Sequence, residues 1–188
     1  MTSPQVAVSE LEKEDLQFLF DLWRIPEVMR YADELPRLRG WSRSDDLETA
    51  WQIYRHRRVE LGPGYAQLIL RLKDGTAIGE SFFAPLPEGY TFGKWEKPEG
   101  VESAIGDIKL RPEYWGRGLG TEAMRRVVEW IFTHTRSQLL IVPPHRKNPA
   151  ASRVYEKAGF ELFTGMRSWH NHQVMELRRE RYEMIHGA

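Results

Sequence analysis

No cysteine occurs in the 188 residues, which excludes a disulfide framework, a thiolate metal site and a cysteine nucleophile together. Any chemistry must rest on oxygen, nitrogen or main-chain groups. Neither sign of charge is in excess, with 27 Lys and Arg against 27 Asp and Glu. No overall field therefore draws the chain to nucleic acid or to an anionic membrane, and an anionic ligand has to be met by local groups. No apolar run approaches the ~20 residues that span a bilayer. Met1-Thr2-Ser3-Pro4-Gln5 has neither the basic nor the apolar block of a signal peptide. A cytoplasmic protein with no membrane partner and no direct nucleic-acid partner is expected. Repeats and low-complexity tracts are also missing, and the length suits one domain over 1–188 with a sizeable core. Tryptophan, by contrast, is plentiful at 7 residues, which fits a substrate surface or bulky core filler.

Hydrophobic periodicity sets out the elements. Leu16, Leu19, Phe20 and Trp23 share one helical face, and Pro26 stops that helix. Ser42 or Ser44 can cap a second helix with Leu47, Ala50, Trp51 and Tyr54 along its buried stripe. Residues 65–72 and 77–84 flank Asp74-Gly75 and read as a hairpin. Residues 85–100, with Pro85, Pro87 and Pro98, read as a long irregular excursion. A strand over 102–110 precedes a glycine cluster, after which Met124, Val127, Val128, Ile131 and Phe132 mark the clearest helix. Residues 139–142 form a short buried strand. Asn148-Pro149 opens a helix that Gly159 closes, and strands over 161–167 and 173–178 pair through Trp169-His170-Asn171. The order is mixed α and β.

A strand, a glycine-rich turn and a helix start in succession expose main-chain N–H groups at the positive end of a helix dipole, which suits a phosphate. Gly116, Gly118 and Gly120 carry no Cβ to keep a diphosphate away, and Arg117 adds positive charge. The same spacing also fits a glycine-rich turn that binds nothing. A Walker loop is excluded because no Lys-Ser or Lys-Thr follows. A dinucleotide fingerprint is excluded because Thr121 stands where its last glycine would be.

The stretch Tyr114-Trp115-Gly116-Arg117-Gly118-Leu119-Gly120-Thr121-Glu122-Ala123 resembles the CoA-binding motif of the GNAT acetyltransferases, (Gln/Arg)-x-x-Gly-x-(Gly/Ala), with Trp115 where Gln or Arg is usual. That tryptophan is similar to the branch that acetylates ribosomal-protein N-termini, the ribosomal-protein-alanine N-acetyltransferases. Beginning 30 residues beyond Gly118, Asn148-Pro149-Ala150-Ala151-Ser152-Arg153-Val154-Tyr155-Glu156-Lys157-Ala158-Gly159-Phe160 resembles the family's N-x-x-A-x-x-x-Y-E-K-x-G-F at every fixed place. The resemblance covers residues 105–177 well, while the N-terminal helices agree only in kind. It implies an α/β (mixed α+β) GNAT fold, a central twisted mixed sheet of about six to seven strands flanked by helices.

It further implies transfer of an acetyl group from acetyl-CoA, without a metal, to a primary amine by direct attack in a ternary complex. The cofactor would be held by Ile108, Lys109 and Leu110, by Trp115, Gly116, Arg117, Gly118, Leu119, Gly120 and Thr121, and by Asn148, Ser152, Tyr155 and Lys157. Asn148 would contact the pantetheine arm, and Tyr155 would protonate the thiolate. Taken alone, Tyr155 also fits a core stripe with Ala151, Val154 and Ala158, and Asn148 also fits a helix N-cap. Arg146, Lys147, Arg153 and Lys157 could meet the 3′-phosphate or stand as solvated charge.

The amine must lose a proton, and the general base is the open position. Glu102 and Asp107 flank the strand on which the family carries a carboxylate, although the matching place falls nearest Ala104. A water relay or His145 would serve instead. His170 and His172 have no partner carboxylates at metal-ligand spacing. The acceptor, a peptide N-terminus or a small molecule, would meet residues 41–54 and 85–100, where Tyr90, Phe92 and Trp95 stand beside Glu88, Glu96 and Glu99. A non-catalytic CoA-binding module and a nucleotide-binding regulator are the rival readings, and the resemblance also allows a homodimer.

Overall fold

The computed structural model describes residues 5–36, 38, 40, 41 and 46–187. In chain order the regular elements are β1 (Val6–Glu10), α1 (Leu16–Trp23), α2 (Pro26–Met29), α3 (Leu47–Leu61), β2 (Ala66–Leu72), β3 (Ala77–Pro85), β4 (Thr91–Phe92) and β5 (Trp95–Glu96). They continue with β6 (Ser103–Leu110), α4 (Leu119–His134), β7 (Leu139–Val142), α5 (Pro149–Lys157), β8 (Glu161–Leu162), β9 (Met175–Arg178) and α6 (Arg179–His186). Seven strands form one mixed sheet in the order β1-β2-β3-β6-β7-β9-β8, and β4 pairs with β5 apart from it. The fold is α/β, as the alternation of elements predicts.

The helical stripes are buried as their spacing requires. Leu16 and Leu19 of α1 and Ala50 and Tyr54 of α3 pack with Ile69 and Tyr65 on one face of the sheet. Met124, Val127, Val128 and Ile131 of α4 pack with Leu68, Leu70 and Leu140 on the other. The seryl caps considered for α3, Ser42 and Ser44, lie outside the described residues. Asp46 is the N-cap, accepting from the Thr49 N–H at 2.8 Å. Among the described residues no helix is long and apolar enough to cross a membrane.

Several elements, α2 and the β4–β5 hairpin among them, escape the periodicity reading. β1 is a five-residue edge strand recognisable only by its pairing with β2, and α6 is a short C-terminal helix with no buried residue. Arg179 holds the start of α6 by donating to the carbonyls of Phe132, Thr135 and Ser137.

The excursion over 85–100 is more ordered than its prolines suggest. It carries the β4–β5 hairpin, which sinks Phe92 and Trp95 into a core with Leu86, Leu139 and Ile141. Trp95 is 1% exposed and its Nε1–H donates to Glu176 Oε1 at 2.6 Å. These rings are therefore core residues rather than an acceptor surface. The last strands are also shorter than expected. Trp169 and His172 exchange both main-chain hydrogen bonds around His170 and Asn171, whose φ of 44° and 62° define a two-residue turn with both central residues left-handed.

The feature that makes a site is the parting of β6 from β7. These parallel neighbours pair only at Ser103↔Leu139, Ala104↔Leu140 and Ile105↔Ile141. β7 then ends at Val142 and runs into Pro143-Pro144, which have no N–H to continue a ladder. β6 goes on to Leu110, so its last five residues have no strand neighbour on that side among the described residues.

Candidate active site

The parting opens a cavity of about 630 Å³ lined by β6, the glycine turn, α5, the 143–145 segment and residues 27–38. Hydrogen-bond parity along β6 decides what it offers there. Arg111 N–H donates to Ile78 and Leu86 N–H donates to Ser103, so the odd-numbered residues of β6 bond to β3. The main-chain groups of Ile108 and Leu110 accordingly point into the opening. Ile108 N–H meets the Tyr155 hydroxyl, and the Leu110 carbonyl accepts from Trp115 Nε1 at 2.8 Å. Lys109, expected beside them on the cofactor, also lines the cavity, but only through a different set of groups. Its amide belongs to the β3 ladder and its side chain lies on the sheet face of α1 and α3.

The glycine turn divides into two kinds of glycine. Gly116 and Gly118 have φ of 73° and 79°, and a Cβ on either would project into open space with no atom within 4 Å. Gly118 is the N-cap of α4, so the free N–H groups of that helix start face the cavity that Gly116, Gly118, Gly120 and Thr121 line. The residues present thus fit an anionic ligand at this end. Gly120 differs, because a Cβ there would touch Val154 Cγ2 at 3.4 Å and Leu110 Cδ1 at 3.5 Å. Those are ordinary packing distances, so the site has room for a methyl group.

Other expected cofactor residues are displaced from the cavity. Leu119 is buried in the core, Arg117 lies over the Tyr114 ring at 5.9 Å, and neither they nor Ser152 line the cavity. Asn148 does line it and is also the N-cap of α5, its Oδ1 accepting from Ala151 N–H at 3.2 Å. Of the four cations near the second motif, Arg153 and Lys157 line the cavity and Arg146 and Lys147 do not.

Two ionisable groups meet at the cavity. The Tyr155 side chain is 3% exposed. Burial pushes its hydroxyl far above the usual phenol range, the Asp107 charge pushes in the same direction, and the Ile108 amide opposes both. Asp107 lies on β6 with Oδ2 at 2.7 Å from Lys109 Nζ, while its Oδ1 is buried with no hydrogen-bond partner among the described residues. Burial pushes the Asp107 carboxyl up to about 6, against the pull of Lys109 and with a further push from Glu80.

Glu102 is a correction. It is exposed just before β6, where its carbonyl accepts from Leu139 N–H, and it does not line the cavity. Five residues of strand separate it from Asp107, about 16 Å.

The acceptor end is also built from unexpected residues. Trp41 is buried and donates to Gln67 at 3.0 Å, and the α3 stripe is core. Glu27, Val28, Arg30, Tyr31, Ala32 and Leu38 stand at the cavity instead. The signal was slight, being Pro26 as a helix starter inside an otherwise polar stretch. Tyr31 stacks on His145 at 4.3 Å, and His145 meets His172 edge-on at 4.9 Å. His145 Nδ1 accepts from Lys147 N–H, and burial holds its imidazole below the usual range. Among the described residues no group of three His, Asp or Glu could hold a metal.

Comparison with known proteins matches this architecture. An aminoglycoside N(6′)-acetyltransferase type 1 from Klebsiella pneumoniae is 33% identical over 94 residues, which is 49% of this chain and 46% of that protein. A kanamycin resistance protein from Rhizobium radiobacter is 32% identical over 75 residues, 37% of this chain and 66% of that protein. The chain thus spans about half the length of the first relative and about two thirds of the second.

Two solved structures superpose over nearly all of the chain. The aminoglycoside acetyltransferase AAC(6′)-Ib in complex with coenzyme A and kanamycin covers 96% of this chain and 99% of its own, with a TM-score of 0.70 at 22% identity. The spermidine N-acetyltransferase from Vibrio cholerae in complex with CoA and spermine has the same coverage, with a TM-score of 0.71 at 18% identity. At these identities the likeness speaks for the fold. The sequence itself matches the model of the Acetyltransferase (GNAT) domain over residues 5–161. With the parted strands, the glycine turn and a family match over most of its length, the chain belongs to the GNAT acetyltransferases.

Proposed function

We propose that this chain, as one domain in the cytoplasm, is an N-acetyltransferase that moves an acetyl group from acetyl-CoA to a primary amine in a ternary complex. One observation carries the reading. A single cavity is lined by a buried carboxylate, a buried phenol and a strand edge that has no strand neighbour among the described residues. Bound acetyl-CoA supplies the acyl carbon and a thiolate leaving group. The free N–H groups at the start of α4 receive its diphosphate, and the Ile108 and Leu110 edge pairs with its amides in the manner of an added strand. Asp107 Oδ1 takes a proton from the acceptor nitrogen, which makes that nitrogen a nucleophile. A main-chain N–H of the 108–110 edge meets the charge that develops on the carbonyl oxygen. The Tyr155 hydroxyl gives its proton to the departing sulfur.

Asp107 is preferred over His145 as the base because its charge acts directly on Tyr155, whereas His145 Nε2 faces Glu34 at 3.4 Å and burial disfavours protonation of the imidazole. For the acceptor, a small-molecule amine is the first reading, supported by the aminoglycoside and spermidine acetyltransferases the chain resembles. A peptide N-terminus, on the ribosomal-protein-alanine branch, is the second, supported by Trp115.

Thermal-shift titration with acetyl-CoA, followed by thiol-release assays over spermidine, kanamycin and an alanyl peptide, tests the proposal. Stabilisation by acetyl-CoA with thiol release on at least one amine is expected. No thermal response to millimolar coenzyme A would overturn it. Stabilisation without release on any amine would favour the non-catalytic CoA-binding module instead.

A further inference from the structure

The face of the sheet beneath α1 and α3 contains a chain of buried polar groups that a plain hydrophobic core would not need. Lys109 Nζ donates to Asp107 Oδ2 at 2.7 Å and to Glu80 Oε1 at 2.9 Å. Glu80 also accepts from Gln67 Nε2 at 2.6 Å and from Trp23 Nε1 at 3.2 Å, and Gln67 accepts from Trp41 Nε1 at 3.0 Å. Gln67 and Glu80 are fully buried, and the Lys109 side chain is 4% exposed. Burying three charges is costly unless every one is paired. All are, with the single exception of Asp107 Oδ1, which has no hydrogen-bond partner among the described residues and belongs to a residue that lines the cavity.

We propose that Lys109, braced by Glu80, is a positioning residue for the reaction, holding one oxygen of Asp107 so that the other faces the acceptor amine. This rests on the reading of Asp107 as the base. The geometry supports it in three ways. The i, i+2 spacing puts Asp107 and Lys109 on one face of β6, so the ammonium can reach the carboxylate without moving the strand. Glu80 lies directly across from Lys109 in the β3–β6 register, so its carboxylate brackets the ammonium from the other side. Glu80 is in turn fixed by indole and amide donors from α1 and β2 and by no solvent-facing group. The Asp107 carboxylate therefore cannot rotate without breaking a bond inside the core.

The ionisable groups acting on Asp107 are Lys109 from its own strand and Glu80 from β3, and Asp107 in turn acts on Tyr155 from α5. Their signs give opposed expectations. Lys109 pulls the carboxyl down, so its removal leaves burial and Glu80 unopposed. Glu80 pushes the carboxyl up, so its removal has the reverse effect.

The test is the pH dependence of kcat/KM for whichever of spermidine, kanamycin or the alanyl peptide is acetylated, measured on the full chain. A ¹³C-carboxyl aspartate NMR titration runs alongside, with Asp107 assigned by its loss in Asp107→Asn. In Lys109→Met the acid limb and the Asp107 titration are expected to move to higher pH by about one to three units, the range for a charge in contact. In Glu80→Gln both move to lower pH. In Lys109→Arg the limb returns toward the parent position, and the KM for acetyl-CoA stays within about twofold throughout. Glu80→Gln keeps the test informative if Lys109→Met does not fold.

An acid limb that stays in place in the variants that fold, or that moves the same way in Lys109→Met and Glu80→Gln, would overturn the positioning role. In the first case, loss of turnover in Asp107→Asn would show that the base reading survives and only the brace fails. If Asp107→Asn keeps parent turnover and limb, both fall.

Discussion

Asp107 and Tyr155 reach one cavity from different elements, Asp107 from β6 on the face of α1 and α3 and Tyr155 from α5, and the carboxylate charge acts on the phenol. In the proposed reaction that placement would separate proton removal from proton delivery across the acyl carbon. Replacing Tyr155 by Phe should lower kcat by about 10²-fold, the lower end of general-acid effects, because a thiolate is already a fair leaving group. The KM for acetyl-CoA should change little. Stopped-flow thiol release checks this, and parent turnover in the variant would remove the role.

Asp107 must be ionised to accept a proton, and its carboxyl titrates at about 6. Activity should therefore fall as pH drops through about 6, and Asp107→Asn should abolish that limb together with most of the turnover. The same group acts on stability with a definite sign. Its folded value exceeds the ~3.9 of an unfolded chain, so the folded state binds the proton more tightly. The stabilisation is complete below about 4 and lost as pH rises through about 6. Urea midpoints over that window should decline more steeply for the parent than for Asp107→Asn.

Gly118 and Gly120 should respond differently to alanine. Gly118 is left-handed at φ 79°, so Gly118→Ala should cost about 1 to 2 kcal/mol and disturb the start of α4. That is a drop in thermal midpoint of roughly 2 to 8 °C for a chain of this size, with weaker acetyl-CoA binding. Gly120 lies inside α4 with ordinary contacts around its missing Cβ. Gly120→Ala should leave the midpoint unchanged or raised, since alanine is the better helix former. Calorimetry on both variants decides the matter, and equal losses would contradict the division.

Asn148 combines an N-cap with a place at the cavity wall. Asn148→Ala should cost about 1 kcal/mol through the lost cap. Asn148→Ser keeps a capping oxygen but shortens the side chain, so it should preserve the midpoint while raising the KM for acetyl-CoA. If serine restores both, the residue is a cap and nothing more.

Trp95 is a test of the core assignment for the 85–100 excursion. Trp95→Ala should destabilise by about 3 to 5 kcal/mol, as expected for emptying a fully buried aromatic site. An unchanged thermal midpoint with altered amine selectivity would return the residue to the acceptor surface.

The helices α1, α4 and α5 and the β2–β3 hairpin were legible because their cores are one-sided, so burial writes a period of 3.6 or 2 into the residues themselves. The glycine turn was legible for a related reason, since left-handed backbone at positions 116 and 118 leaves glycine as the favoured residue. Which way the Lys109 amide faces was not legible, because sequence adjacency to Ile108 and Leu110 carries no information about which neighbour a strand amide meets. Phe92 and Trp95 were read wrongly because aromatic residues among prolines and glutamates look the same whether the loop folds inward or outward.

The chain by itself determined its α/β class, its glycine cradle and its Asn148-to-Phe160 motif, since each depends on contacts or conformations local in sequence. Only the tertiary structure decided that β6 parts from β7 beyond Ile105, that Asp107 rather than Glu102 stands at the opening, and that residues from 27–32 and Leu38 line the same cavity. Those outcomes depend on pairing between distant strands and on which buried charges find partners, and such long-range terms leave no local pattern in the order of residues.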